Sequence, residues 1–167
     1  MEGDAERRVE RRDGAPAVNR DKLISDLTGD EGIKLCAYDD ASGSYIRPGS
    51  RLGGHPTIGI GRALDTQGIT AAEAQWLLDN DIDRVAAELA PCTWYAGQSD
   101  VRQNVLLNMC FNLGLAGLLQ FHDLIEYLGD GRYELAAKAM EASIWYRQVG
   151  ARAARLANEM RSGQYAT

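Results

Sequence analysis

Three side chains in the first third of the chain have types and spacing that suit acid–base chemistry. Glu31 lies where a short predicted helix ends, and Asp40 follows nine residues later at the predicted start of a hairpin. A carboxyl at a helix end that is flanked by apolar residues and partly dry tends to stay protonated, whereas solvent keeps a second carboxyl ionised. Thr57 adds a hydroxyl on a predicted strand. The set suits one protonated carboxyl that acts as a general acid and a second carboxyl that stays ionised.

Two motifs carry these residues. The first reads E-G-x-x-L-x-x-Y-x-D and begins at Glu31, and the second reads T-I-G-x-G and begins at Thr57. Together they resemble the phage-type lysozymes, glycoside hydrolase family 24. The resemblance continues in a capped long helix after the sheet, in N-M-x-F-x-x-G from Asn108, and in W-Y at Trp145 with arginines after it. It covers about residues 21–163.

The resemblance implies a role for each member of the set. Glu31 becomes the general acid, Asp40 orients the hydrolytic water, and Thr57 holds the same water through its hydroxyl. In the family this arrangement goes with inversion at the anomeric carbon, for which the two carboxyls stand about 6.5–9.5 Å apart.

Four further positions match substrate-binding positions of the family. Ala63, Phe111 and Asn112 correspond to residues that line its saccharide cleft, and Arg152 corresponds to an arginine close to the catalytic acid. Two alternatives stay open, because Phe111 also suits a core position and Arg152 also suits an exposed helix face.

Asp39 and the segment 47–56 complicate this assignment. Asp39 is a rival for the start of the turn, although the interval from Glu31 favours Asp40, and we expect Asp39 to be exposed. Thr57 lies seventeen positions after Asp40, a much longer interval than in the best-known member of the family, so the segment 47–56 resembles an insertion. If it only lengthens the hairpin, Thr57 keeps its place; if it reshapes the sheet, Thr57 is an ordinary strand residue. His55 and Arg51 could then reach substrate.

Arg62 stands where that member has a histidine, and Asp81 matches the aspartate with which the histidine pairs. The resemblance therefore implies an Arg62–Asp81 pair. Such a pair would not titrate near neutral pH, because arginine stays protonated.

The pattern of elements predicts the α+β class, as a lysozyme-like fold of two lobes. Residues 1–20 read as a flexible charged arm and 21–167 as one catalytic domain. Within it we expect a small antiparallel sheet lobe at about 33–65, a connecting helix at about 70–90 and a helical lobe at about 95–163. Thr70 and Glu73 form a capping box that starts the connecting helix.

The composition argues against nucleic-acid binding, a metal site and membrane insertion. The net charge of −6 disfavours nucleic acid as a partner. Three cysteines do not all pair within one chain, their spacing matches no zinc pattern, and two histidines make a metal site a poor expectation. We expect reduced thiols, no metal and no cofactor. The N-terminus lacks the apolar stretch of a secretory signal, and no apolar run predicts membrane insertion.

The resemblance implies a muramidase that hydrolyses the β-1,4 bond between N-acetylmuramic acid and N-acetylglucosamine in the glycan strands of bacterial peptidoglycan. The expected setting is a phage endolysin that accumulates as a monomer in the host cytoplasm and depends on a holin-like membrane permeabiliser. Two alternatives remain: a lysozyme delivered by a phage tail or a secretion machine, and an inactive module that binds glycan without cutting it.

Overall fold

A computed structural model describes residues 18–166. Over this range it contains eight α-helices and one three-stranded antiparallel sheet, so the predicted α+β, lysozyme-like class is confirmed. The chain divides into two compact units, the sheet unit (Met1–Ile69) and the helical unit (Thr70–Thr167). The predicted arm at 1–20 falls mostly outside the described residues, although Arg20 already belongs to the first helix.

The sheet unit begins with α1 (Arg20–Glu31). The side chain of Asn19 accepts a hydrogen bond from the backbone N–H of Lys22, which satisfies one of the free donors of the first turn. The helix ends at Gly32, whose φ of 68° lies in the left-handed region that favours glycine. Glu31 therefore occupies the helix end that the sequence predicts.

The sheet has the order β1 (Lys34–Asp39), β2 (Pro56–Gly59) and β3 (Arg62–Ala63), with both neighbouring pairs antiparallel. Tyr38 lies opposite Thr57 in the register of β1 and β2. A turn forms at Ser42-Gly43, where Gly43 donates its backbone N–H to Asp39 O at 2.7 Å. Tyr45 forms only an isolated bridge to Tyr38.

The connection between β1 and β2 is irregular, as its many breakers predict. Its tip closes on itself, since Ser50 donates its backbone N–H to Arg47 O and accepts one from Arg47 N through its hydroxyl, both at 2.9 Å. The base of the connection is held at Asp39 and Asp40, as described below.

The helical unit starts with the capping box that the sequence predicts: Thr70 accepts from Glu73 N and Glu73 accepts from Thr70 N. The helices are α2 (Ala71–Leu89), α3 (Thr93–Ala96), α4 (Asp100–Leu118), α5 (His122–Gly129), α6 (Tyr133–Glu141), α7 (Ile144–Val149) and α8 (Ala151–Ser162). Gly114, with φ 70° and ψ 163°, breaks α4.

The core of the helical unit is apolar. Its fully buried large side chains come from α2, α4, α5, α6 and α8, and they are Leu89, Val105, Leu106, Met109, Cys110, Leu118, Leu124, Met140, Leu156 and Met160. Among residues 18–166, no single helix is long and apolar enough to cross a membrane, and only the bent pair of α4 and α5 meets the criterion by length and composition.

Candidate active site

Glu31 presents its carboxylate at the end of α1, against the turn between β2 and β3. A Cβ placed on Gly61 of that turn would lie 3.5 Å from Glu31 Oε2, so the two are in van der Waals reach. The side chain is exposed. The partly dry surroundings that we expected for it are therefore absent, although its place at the helix end is as predicted.

Asp39 is buried, with 5% of its surface exposed, and the expectation that it is exposed was wrong. The Ser42 hydroxyl donates to Oδ2 at 2.7 Å, Gly54 N donates to Oδ1 at 2.7 Å, and Gly53 N donates to Oδ2 at 3.3 Å. The Ser42 hydroxyl, followed by the two glycine N–H groups, lowers the pKa of this carboxyl against the opposing effect of desolvation. Asp39 thus clamps the base of the long connection and is no longer a free rival to Asp40.

Asp40 is exposed. Its Oδ1 accepts the backbone N–H of His55 at 2.6 Å. A Cβ on Gly54 would lie 2.0 Å from the same oxygen, so only a glycine at 54 leaves room for the carboxylate in this position.

Thr57 is buried on β2, with 3% of its surface exposed. Its hydroxyl donates to the carbonyl of His55 at 3.1 Å, and that carbonyl also accepts the backbone N–H of Asp40 at 3.1 Å. Ala63 is the register partner of Thr57 on β3. The long connection therefore leaves Thr57 on a strand beside Asp40, with the carbonyl of His55 hydrogen-bonded to both residues.

The side chains of His55 and Asp65 form an ion pair, with Nδ1 of His55 and Oδ2 of Asp65 2.8 Å apart. The hydrogen bond to Asp65 raises the pKa of His55, and the negative charges of Asp65 and Asp40 add to the effect. The same hydrogen bond lowers the pKa of Asp65. The sequence analysis singled out His55 but missed its partner.

Arg152 and Phe111 lie together in the helical unit, where both line a cavity of about 480 Å³. The guanidinium of Arg152 donates to Asn108 Oδ1 from Nε at 2.8 Å and from Nη2 at 2.6 Å. Phe111 is 45% exposed, so it is not a core residue. Asn108, the partner of Arg152, is the first residue of the N-M-x-F-x-x-G segment but was not singled out as a functional residue.

The side chain of Asn112 is hydrogen-bonded to Trp145. Its Oδ1 accepts the indole N–H of Trp145 at 2.8 Å. Trp145 packs edge-on against Phe121 with ring centroids 6.2 Å apart, and both line a second cavity of about 610 Å³. The amide nitrogen of Asn112 is the part of the side chain that this bond leaves for a ligand.

The Arg62–Asp81 pair remains a prediction, because it would join the two units. Within the sheet unit, Arg62 Nη1 donates to Gly68 O at 3.0 Å. Within the helical unit, Asp81 Oδ1 lies 3.1 Å from Arg84 Nη2. Each member thus has a neighbour in its own unit.

The three cysteines are free thiols: Cys36 is exposed on β1, Cys92 is partly buried and Cys110 is buried in the core. Burial raises the pKa of the Cys110 thiol, which keeps it protonated and unreactive. Within residues 18–166, no group of three or more His, Cys, Asp or Glu side chains is placed to hold a metal ion.

Known proteins resemble this chain over most of its length. The sequence profile of the phage lysozyme family matches residues 29–162. The pre-baseplate central spike protein Gp5 of Enterobacteria phage T4 is 28% identical in an alignment of 160 positions that covers 78% of this chain and 26% of that protein. The chain thus spans about a quarter of the spike protein's length.

A second relative matches over nearly its full length. The probable T4-type lysozyme 1 of Dictyostelium discoideum is 25% identical over 82% of this chain and 92% of its own. The profile match includes Glu31, Asp40 and Thr57 and extends through Arg152. By this match the chain belongs to the phage lysozyme family.

Proposed function

We propose that this protein is a muramidase that hydrolyses the β-1,4 bond between N-acetylmuramic acid and N-acetylglucosamine, with inversion at the anomeric carbon. Membership of the phage lysozyme family supports a muramidase-type peptidoglycan hydrolase. The observation that carries the finer proposal is the backbone of His55, whose N–H binds the Asp40 carboxylate and whose carbonyl binds the Thr57 hydroxyl.

In this mechanism Glu31 protonates the leaving oxygen, and its exposed position on the sheet unit makes the carboxyl accessible to a glycan. Asp40 accepts a proton from the attacking water. Its oxygen Oδ1 is engaged by His55 N, and its exposure leaves room for a water at the carboxylate. Thr57 Oγ1 donates to His55 O, so the lone pairs of the hydroxyl remain to accept a hydrogen bond from that water.

Four side chains are proposed to bind the glycan. Ala63 presents a small side chain beside Thr57 on the sheet. In the helical unit, Phe111 offers an exposed apolar ring and Arg152 a cation held by Asn108. Asn112 offers the N–H groups of its amide. The reaction needs neither a metal nor a cofactor, because the two carboxyls supply the proton transfers.

The test is a comparison of wild type, Glu31→Gln and Glu126→Gln on purified peptidoglycan. Glu126 makes a matched control because it is an exposed carboxylate on α5. Release of new reducing ends should fall about 10²–10⁴-fold in Glu31→Gln, because the general acid is lost, and should stay at the wild-type rate in Glu126→Gln. Equal release by wild type and Glu31→Gln would show that Glu31 is not the acid, and cleavage without new reducing ends would exclude a muramidase.

The stereochemical part of the proposal needs a separate measurement. NMR of the first product should show the anomer opposite to that of the substrate bond. A product that keeps the substrate's anomeric configuration would place Asp40 in the role of nucleophile instead, as in retaining enzymes.

For the biological setting we propose an endolysin that acts as a monomer and waits in the host cytoplasm for a holin-like permeabiliser. The match to a protein named as a probable T4-type lysozyme, over 92% of that protein's length, supports this setting. The match to a central spike protein supports delivery by a phage tail as a second candidate. Expression in a bacterial cytoplasm, with and without an inducible holin, separates the two.

Lysis that requires the holin supports the endolysin. Lysis without it would contradict the proposed dependence on a permeabiliser. Purified protein that clears peptidoglycan but never lyses cells from within would favour tail delivery.

A further inference from the structure

The backbone of His55 connects the two groups to which we assign the attacking water. Its N–H donates to Asp40 Oδ1 at 2.6 Å, and its carbonyl accepts from Thr57 Oγ1 and from Asp40 N, each at 3.1 Å. The N–H and the carbonyl belong to the two peptide groups that flank the His55 Cα, so a change in the φ and ψ of His55 would move the carboxylate and the hydroxyl relative to each other. Whatever fixes the backbone at His55 also fixes their geometry.

The imidazole of His55 is the group that fixes the backbone at this residue. Its Nδ1 lies 2.8 Å from Oδ2 of Asp65, two residues beyond the end of β3. The backbone holds Asp65 in place, because Leu64 N donates to Pro56 O at 2.7 Å and so extends the pairing of the sheet next to the pair. The ion pair thus ties the end of the long connection to the segment that follows β3.

We propose that His55 and Asp65 are positioning residues for the hydrolytic step: their ion pair holds the backbone of His55 in the conformation that aligns Asp40 and Thr57. This proposal rests on the muramidase mechanism and deepens it. His55 and Asp65 do not touch the reacting atoms in this role, and they act through the two residues that do.

The pair has a pH window, which gives the proposal a signature that a purely structural contact lacks. Both charged groups that face His55, Asp65 and Asp40, are negative, and both favour the protonated imidazole. The contribution of His55 is complete below its ordinary pKa and weakens as the pH rises through the raised value. The contribution of Asp65 is complete above its ordinary pKa and weakens as the pH falls through the lowered value.

The experiment compares kcat, KM and the pH profile of wild type with those of Asp65→Asn and His55→Gln. A misplaced catalytic group costs up to about 10²-fold in rate, so kcat should fall about 10- to 100-fold in both variants, with KM within about twofold. In Asp65→Asn the alkaline limb of kcat should move to lower pH, because the pKa of His55 returns towards its ordinary value. Asp65→Glu, which keeps a carboxylate, should recover part of the rate.

Asp21→Asn is the matched control, because Asp21 is an exposed carboxylate in the first turn of α1 in the same unit. It should keep the wild-type kcat and pH profile. If Glu31→Gln is inactive while Asp65→Asn and His55→Gln keep wild-type kcat and alkaline limb, the positioning role is wrong and the muramidase stands. If Glu31→Gln is fully active, the muramidase mechanism itself is wrong.

A titration of the unmodified site does not depend on the folding of the variants. Proton NMR of the two histidine rings, with His122→Gln to assign them, follows His55 directly. A pKa of His55 above that of a free histidine, which falls in Asp65→Asn, supports the pair. An unshifted His55 in the wild-type chain would overturn the proposal whatever the kinetics of the variants.

Discussion

The sheet unit and the helical unit hold their side chains in place by different interactions. Among residues 18–69 the buried side chains are Tyr38, Asp39 and Thr57, and two of these three are polar. In the helical unit the buried set is apolar apart from Glu159, which pairs with Arg155 at 2.8 Å. The unit that carries the proposed acid and water-positioning groups thus depends on hydrogen bonds to carboxylates, and the other depends on apolar packing.

This difference predicts which changes each unit tolerates. Hydrogen-bonded carboxylates respond to pH and to the loss of a single oxygen, whereas an apolar core responds to lost volume. Substitutions in the sheet unit should therefore affect mainly activity, and substitutions in the helical core should affect mainly stability, when both are measured for each variant.

The largest stability effect should come from the helical core. Leu106→Ala removes a fully buried side chain from α4 and should lower the free energy of unfolding by about 2–5 kcal/mol, because it leaves a cavity. Denaturant unfolding measures this value. Leu119→Ala is the matched change at a position that is 40% exposed, and its effect should be much smaller. Equal losses in the two variants would contradict an apolar core at α4.

Asp39→Asn should give an intermediate effect, seen in activity more than in global unfolding. The amide has one acceptor oxygen in place of the two that receive Ser42, Gly53 and Gly54, so the connection between β1 and β2 should loosen and kcat should fall. Because the pKa of Asp39 is lowered, its stabilisation is present above the ordinary value and is lost as the pH falls through the lowered one.

Hydrogen exchange at residues 40–56 is the direct measurement for this variant. Exchange should accelerate there while the core of the helical unit stays protected. Uniform acceleration over both units would mean that Asp39 supports the whole chain and that the comparison drawn above is wrong.

The smallest effect should come from the capping box of α2. Thr70→Ala removes the acceptor for Glu73 N and should cost about 1 kcal/mol in thermal unfolding. Thr93→Ala, at an exposed threonine inside α3, should cost less. If Thr70→Ala leaves the melting temperature unchanged, the capping bond contributes nothing to stability.

Local chemistry explains which parts of this fold the sequence predicts. The capping box at Thr70 and the end of α1 at Glu31 each depend on residues within one helical turn, and both were predicted. The short helices α3 and α7 were not, because four and six residues give too little periodicity to detect.

Local sequence patterns do not predict all contacts of the candidate site. Asp39 and Asp40 are neighbours with the same side chain, and contacts 14 and 15 residues away, at Gly53 and Gly54, decide which of them is buried. No local pattern carries that information. His55 directly precedes β2 and Asp65 follows β3, ten residues later in the chain. Only the register of β2 and β3 brings the two side chains together. A double glycine before His55 was the available hint that backbone N–H groups approach an anion there.

The connection between β1 and β2 has a further consequence for protein engineering. Its base is fixed by Asp39, Asp40 and His55, while its tip at 47–50 closes on its own residues. Loop closure costs only about 0.6 kcal/mol for each doubling of length. A foreign binding peptide could therefore be inserted at positions 47–51. It would lie close to the proposed catalytic residues without disturbing the contacts that align them.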